Sequence, residues 1–182
     1  ETELTAFRVD GDSVVPSRTI AVGGSAGVSS DGDDQRGIAI SPDGTRAYVV
    51  SREPEAVLVL DVTRDASGRY EDRFVGIIEV GPGPSIIRIH EHENHPGGYM
   101  VYVVCFTADL VYVIDPSVNE VVDIVATRRG PHDLVFDSAA GVGYLANFLE
   151  STVSLLDVDP TSSEYHRVLT SLGAPRRPRS ND

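Results

Sequence analysis

The sequence predicts an all-β fold assembled from repeated four-stranded units, and three observations predict it. The chain repeats itself: Ala47-Tyr-Val-Val-Ser51, Val101-Tyr-Val-Val-Cys105 and Gly143-Tyr-Leu-Ala-Asn147 align. A second run ending in Asp follows each copy, at residues 57–61, 111–115 and 153–157. Tyr48, Tyr102 and Tyr144 are 54 and 42 residues apart, and Asp61, Asp115 and Asp157 keep the same two intervals. Finally, no segment longer than ten residues holds a helical period.

The elements follow in order. Residues 3–22 supply two strands, read as the third and fourth strands (c and d) of a preceding unit. A connector over 25–35, rich in Ser, Gly and Asp, reads as flexible and lacks the acidic residue that would close a calcium loop. Three full units then occupy 36–84, 85–131 and 132–175, and a basic tail, 176–182, reads as disordered. In the first unit Gly37-Ile-Ala-Ile40 forms strand a, and Ser41-Pro-Asp-Gly44 places Pro and Gly where a tight turn needs them. Residues 47–51, 57–61 and 77–81 supply b, c and d. Several strands are apolar at consecutive positions, as at 57–60 and 101–104, so they must be covered on both faces. Short four-stranded sheets buried on both sides describe the blades of a β-propeller, which closes with about four to eight of them. A chain that starts halfway through a blade is therefore expected to be the C-terminal part of a larger ring, one of seven blades, with the remaining blades supplied by a parent chain or another polypeptide.

The succession Gly-Ile-Ala-Ile-Ser-Pro-Asp-Gly, Ala-Tyr-Val-Val, an apolar strand ending in Asp and an apolar strand ending Val-Gly-Pro resembles the YVTN-type β-propeller repeat over residues 36–175. Tyr144-Leu-Ala-Asn147 comes nearest to that family's hallmark; the other copies end in Ser51 and Cys105. The resemblance implies a fold more than a function, since such propellers serve as scaffolds, binding proteins and occasionally enzymes. It implies a periplasmic, cell-surface or secreted location. Propellers of related look include lactonases and quinoprotein dehydrogenase subunits. Their carboxylate-rich metal site or cofactor-bearing partner chain is not visible in these three units, so the alternative function is an enzyme or redox subunit whose active site lies in other blades or another chain.

Composition narrows the field. The chain has 182 residues, 28 acidic against 15 basic side chains and a net charge of −13, and every basic residue is Arg. Such a surface repels phosphate backbones, which argues against nucleic acid. No apolar run approaches the ~20 residues of a membrane-spanning helix. A single Cys, Cys105, excludes an internal disulfide and reads as a small buried hydrophobe.

In a propeller the d→a and b→c connections open on one face, at the mouth of the central channel. Arg36, Ser85, His132 and Asp133 open the innermost strands, Arg88 points further in, and Asn147 starts a b→c connection. This mixed lining suits a small polar or anionic ligand, or an ordered-water plug. His132 and Asp133 have catalytic flavour, but neighbours on a strand point to opposite faces and cannot readily touch. Asp133 serves equally well by holding backbone amides. No catalytic residue, cofactor or metal is assigned, and the expected function is a non-catalytic scaffold or binding domain. His90, His92 and His95 form the densest set of possible metal ligands, on the face opposite the mouth; a solvated loop tip accounts for them equally well. Asp61, Asp115 and Asp157 are expected to cap turns, and Tyr48, Tyr102 and Tyr144 to pack between blades.

Overall fold

The computed structural model describes residues 3–21, 34–70 and 72–173. The basic tail and all of the connector except Asp34 and Gln35 lie outside the described residues. Strands β1 (Glu3–Asp10) and β2 (Ser13–Ala21) form a two-stranded hairpin. Three antiparallel four-stranded meanders follow. The first holds β3 (Gln35–Ile40), β4 (Arg46–Arg52), β5 (Glu55–Asp61) and β6 (Arg73–Glu79). β7 (Pro84–Glu91), β8 (Tyr99–Cys105), β9 (Leu110–Asp115) and β10 (Glu120–Ala126) make the second. β11 (Pro131–Asp137), β12 (Val142–Asn147), β13 (Thr152–Asp157) and β14 (Val168–Leu172) make the third.

The sheets stack face to face, and the side-chain alternation of each strand serves two neighbours at once. Tyr48 and Val50 of β4 pack with Ile87, Val101 and Val103 of the second sheet. Ala47 and Val49, on the other face of β4, pack with Leu58, Leu60 and Ile20 of the hairpin. Met100, Tyr102 and Val104 of β8 meet Leu134, Leu145 and Leu156 of the third sheet. This double coverage explains the continuous apolar runs, and burying each large aliphatic side chain contributes roughly 1.5–3 kcal/mol.

Local chemistry ends the strands as the sequence predicts. The turn at Ser41 closes with a Gly44 N–H to Ser41 carbonyl bond of 2.8 Å, and Gly44 takes the positive φ of 70° that it requires. Asp61, Asp115 and Asp157 each accept the backbone N–H two residues on, from Thr63, Ser117 and Asp159 at 3.0, 2.8 and 3.0 Å.

One packing expectation is corrected. Tyr48 and Tyr102 are fully buried, whereas Tyr144 is 38 % exposed. Its face of the third sheet meets no neighbouring sheet among the described residues. At the other end, Ile38 of β3 is 51 % exposed, while Ile87 and Leu134, at the same place in β7 and β11, are 1 % and 0 % exposed. The hairpin covers the outer strands of the first sheet and leaves β3 open.

Candidate binding face

The connections β4→β5, β8→β9 and β12→β13 meet the segments leading into β3, β7 and β11 on one face of the stack. Each pair is clamped by a backbone bond at the same place, and the second pair carries another, from Ala108 N–H to the Pro82 carbonyl at 3.1 Å. Arg52 N–H donates to the Asp34 carbonyl at 3.0 Å, Phe106 to Gly83 at 2.9 Å and Phe148 to Gly130 at 2.8 Å.

Immediately beyond each clamp the innermost strand slips register by one residue. Gln35 pairs with Ser51 but Gly37 with Val50; Pro84 pairs with Cys105 but Ile86 with Val104; Pro131 pairs with Asn147 but Asp133 with Ala146. The residues left unpaired are Arg36, Ser85 and His132. A bulge re-aims the side chain it carries, so three of the predicted site residues share one device in three successive sheets.

Their surroundings differ. Arg36 is exposed and paired with Asp34 at 2.7 Å. Ser85 donates its hydroxyl to the Val104 carbonyl at 3.2 Å. His132 is exposed, with its ring 6.3 Å from Phe106 and 6.1 Å from Phe148. Arg88 is fully engaged: it donates to Asp133 at 2.7 Å, to the Leu134 carbonyl at 3.1 Å and to the Ile87 carbonyl at 3.0 Å. It ties β7 to β11. Asp133 also accepts the Leu134 N–H at 2.9 Å, so its carboxylate holds an amide and a guanidinium.

Asn147 does not reach the face. It is 1 % exposed, and its amide donates to Ser154 at 2.9 Å and Thr152 at 3.2 Å, inside the third sheet. Its paired position, opposite Pro131, is shared by Ser51 and Cys105, which are also fully buried. Burial pushes the Cys105 thiol up to about 12, an inert group. Sequence reasoning missed Phe106 and Phe148; each directly follows a repeat copy, which is the signal that marks them. Phe148 is 64 % exposed.

The histidines on the opposite face are not a solvated tip. His90 and His95 are 1 % and 5 % exposed, with His90 Nδ1 and His95 Nε2 3.2 Å apart. The loop that follows β13 covers them. Among the described residues no group of three or more His, Cys, Asp or Glu is arranged to hold a metal ion.

No protein-family model and no curated protein matches the sequence. Solved structures do match in three dimensions. Hydrazine synthase of Kuenenia stuttgartiensis superposes with a TM-score of 0.66 at 23 % identity, over 92 % of this chain and 42 % of that one. Dihydro-heme d1 dehydrogenase NirN gives 0.68 at 16 %, over 93 % and 32 %. A putative 6-phosphogluconolactonase of Bacteroides fragilis gives 0.67 at 15 %, over 93 % and 51 %. The fold is that of β-propeller blades. The chain spans about half the length, or less, of these propeller structures.

Proposed function

We propose that this chain is part of a non-catalytic β-propeller that recognises a small polar or anionic ligand, or a partner, at the face ringed by Arg36, Ser85 and His132. The observation that carries the reading is the repeated bulge, which presents a hydrogen-bonding side chain at the same place in each of three sheets. His132, and the guanidinium N–H groups of Arg36 not engaged by Asp34, supply donors to an anion on a chain whose net charge is −13. The open faces at Ile38 and Tyr144 would be covered by further blades, from the parent chain or another polypeptide. A catalytic alternative, a lactonase-like or quinoprotein dehydrogenase-like propeller, would carry its active site in blades or chains other than these; at this face His132 has no carboxylate from Asp133, which is bound to Arg88.

Two-dimensional NMR with inorganic phosphate and with succinate tests the proposal. Shifts should concentrate at Arg36, Ser85, His132 and Phe148, and His132→Ala should weaken binding by about tenfold, or ~1.4 kcal/mol. Unchanged spectra at these residues with both probes, or turnover of a lactone by the chain, would overturn it.

A further inference from the structure

The face opposite the binding mouth carries a polar chain, buried at its histidines and half-exposed at its Asp123 end, that the proposed function does not use. It begins at Asp123 of β10, whose carboxylate accepts from His166 Nδ1 at 3.1 Å. His166 Nε2 then accepts the Tyr102 hydroxyl at 3.1 Å. Beside it, Tyr165 stacks on His166 at 3.6 Å and reaches His95 Nδ1 at 3.2 Å. His95 in turn contacts His90. One tautomer set satisfies these bonds without any charge on the rings. His166 donates from Nδ1 to Asp123, Tyr165 donates to His95 Nδ1, and His95 Nε2–H donates to His90 Nδ1. His90 must then carry its proton on Nε2, and that buried atom has no hydrogen-bond partner; the ring lies 4.8 Å from Phe136.

The members come from two sheets. His90, His95, Tyr102 and Asp123 belong to the second sheet and its loops; Tyr165 and His166 belong to the 158–167 loop of the third. The loop is thus fastened to the neighbouring blade by neutral imidazoles. A proton added to His95 or His90 would remove an acceptor from the chain and place a charge where water is excluded.

We propose that this imidazole cluster is an acid-sensitive latch, which holds the 158–167 loop of the third sheet against the second at neutral pH and releases it as the pH falls.

The elements packed around the His90–His95 pair carry the following titratable or charged groups, of which His92, His166 and Asp115 act on the pair. From β7 and its loop come Arg88, Glu91, His92 and Glu93; from β8, Tyr102; from β9, Asp115; from β10, Asp123. β11 offers Asp133, held by Arg88, and Phe136, which has no charge; β13 and its loop offer Asp157, Asp159, Tyr165 and His166. Burial is the largest influence on all three rings and pushes each below its ordinary value, His95 to about 4. Neighbouring imidazoles push His90 and His95 the same way, and the carboxylate of Asp115 only partly offsets this at His95. A base depressed in the closed state stabilises closure fully above about 6.5 and loses that contribution as the pH falls from there toward about 4.

Hydrogen exchange of the whole chain at pH 7 and pH 5, with NMR titration of its five histidines, tests the latch. After correction for intrinsic rates, opening of residues 91–98 and 158–167 should rise at least about tenfold at pH 5. The 62–70 segment, the corresponding connection of the first sheet, has no histidine and should not respond. In the double variant His90→Leu, His95→Gln the rise should fall below about threefold at residues 91–98, and at 158–167 to the smaller part that His166 alone supplies. Equal acid response in that variant, or His90 and His95 titrating near 6.5 with both loops still protected, would overturn the latch. If the double variant does not fold, the wild-type titration and exchange decide between the same two outcomes.

Discussion

Asp61, Asp115 and Asp157 show how much one residue can specify. Each ends the third strand of its sheet, and each carboxylate binds the backbone two residues on, so the side chain shapes the turn that the strand must make. At Asp61 the hydrogen bonds from Thr63, aided by Arg73, hold the carboxyl down to about 2. The depressed value means that the ionised form is favoured by folding. Its contribution is therefore present above the ordinary 3.8 and lost as the pH falls toward 2. Asp61→Ala should cost about 1 kcal/mol at pH 7, a figure reduced for solvent at the sheet rim, and almost nothing at pH 2. Chemical denaturation at the two pH values checks both. These aspartates were legible because a repeated polar residue at a strand end has a local partner. Asn147 was not: its amide binds within the third sheet, at Thr152 and Ser154, and nothing in its position along the chain announces that it turns inward.

The strands themselves were readable because coverage on both faces writes apolar runs into the sequence. The bulges were not, because register belongs to a pair of strands and not to either one. Gly83 and Gly130 show what the bulges rest on. Both precede a proline at the start of an innermost strand, both have positive φ, 69° and 65°, and both accept the clamp from the following connection. A Cβ at Gly83 would lie 2.9 Å from the Thr107 backbone nitrogen, and one at Gly130 would lie 2.6 Å from Leu149. Gly83→Ala and Gly130→Ala should each destabilise by about 1–3 kcal/mol, through unfavourable backbone geometry and this contact. Gly76 of β6 has no atom within 4 Å of such a Cβ, and Gly76→Ala should be neutral or slightly stabilising. Thermal unfolding of the three variants separates the cases. The histidine loop escaped sequence reasoning for the same reason as the bulges: its burial depends on the 158–167 loop of another sheet, distant in sequence.

The stack as a whole has two unlike ends joined by two well-filled layers. Equivalent positions show what each end lacks: Ile38 is open where Ile87 and Leu134 are sealed, and Tyr144 is open where Tyr48 and Tyr102 are sealed. Around Tyr144 the exposed Val135, Val153 and Leu172 continue the patch across all four strands of the third sheet. Contiguous apolar surface of this kind promotes association, and the acidic surface opposes it only through long-range repulsion that salt screens. The 182-residue chain alone should therefore self-associate more strongly as salt rises. Sedimentation velocity across a concentration and salt series measures this. Ile38→Lys with Tyr144→Lys should shift the distribution to monomer, since both side chains are exposed and a charge there disrupts no sealed layer. Ile87→Lys is the contrasting case: the same charge at a fully packed position should unfold the stack, because the first sheet seals Ile87 and among the described residues no sheet seals Ile38.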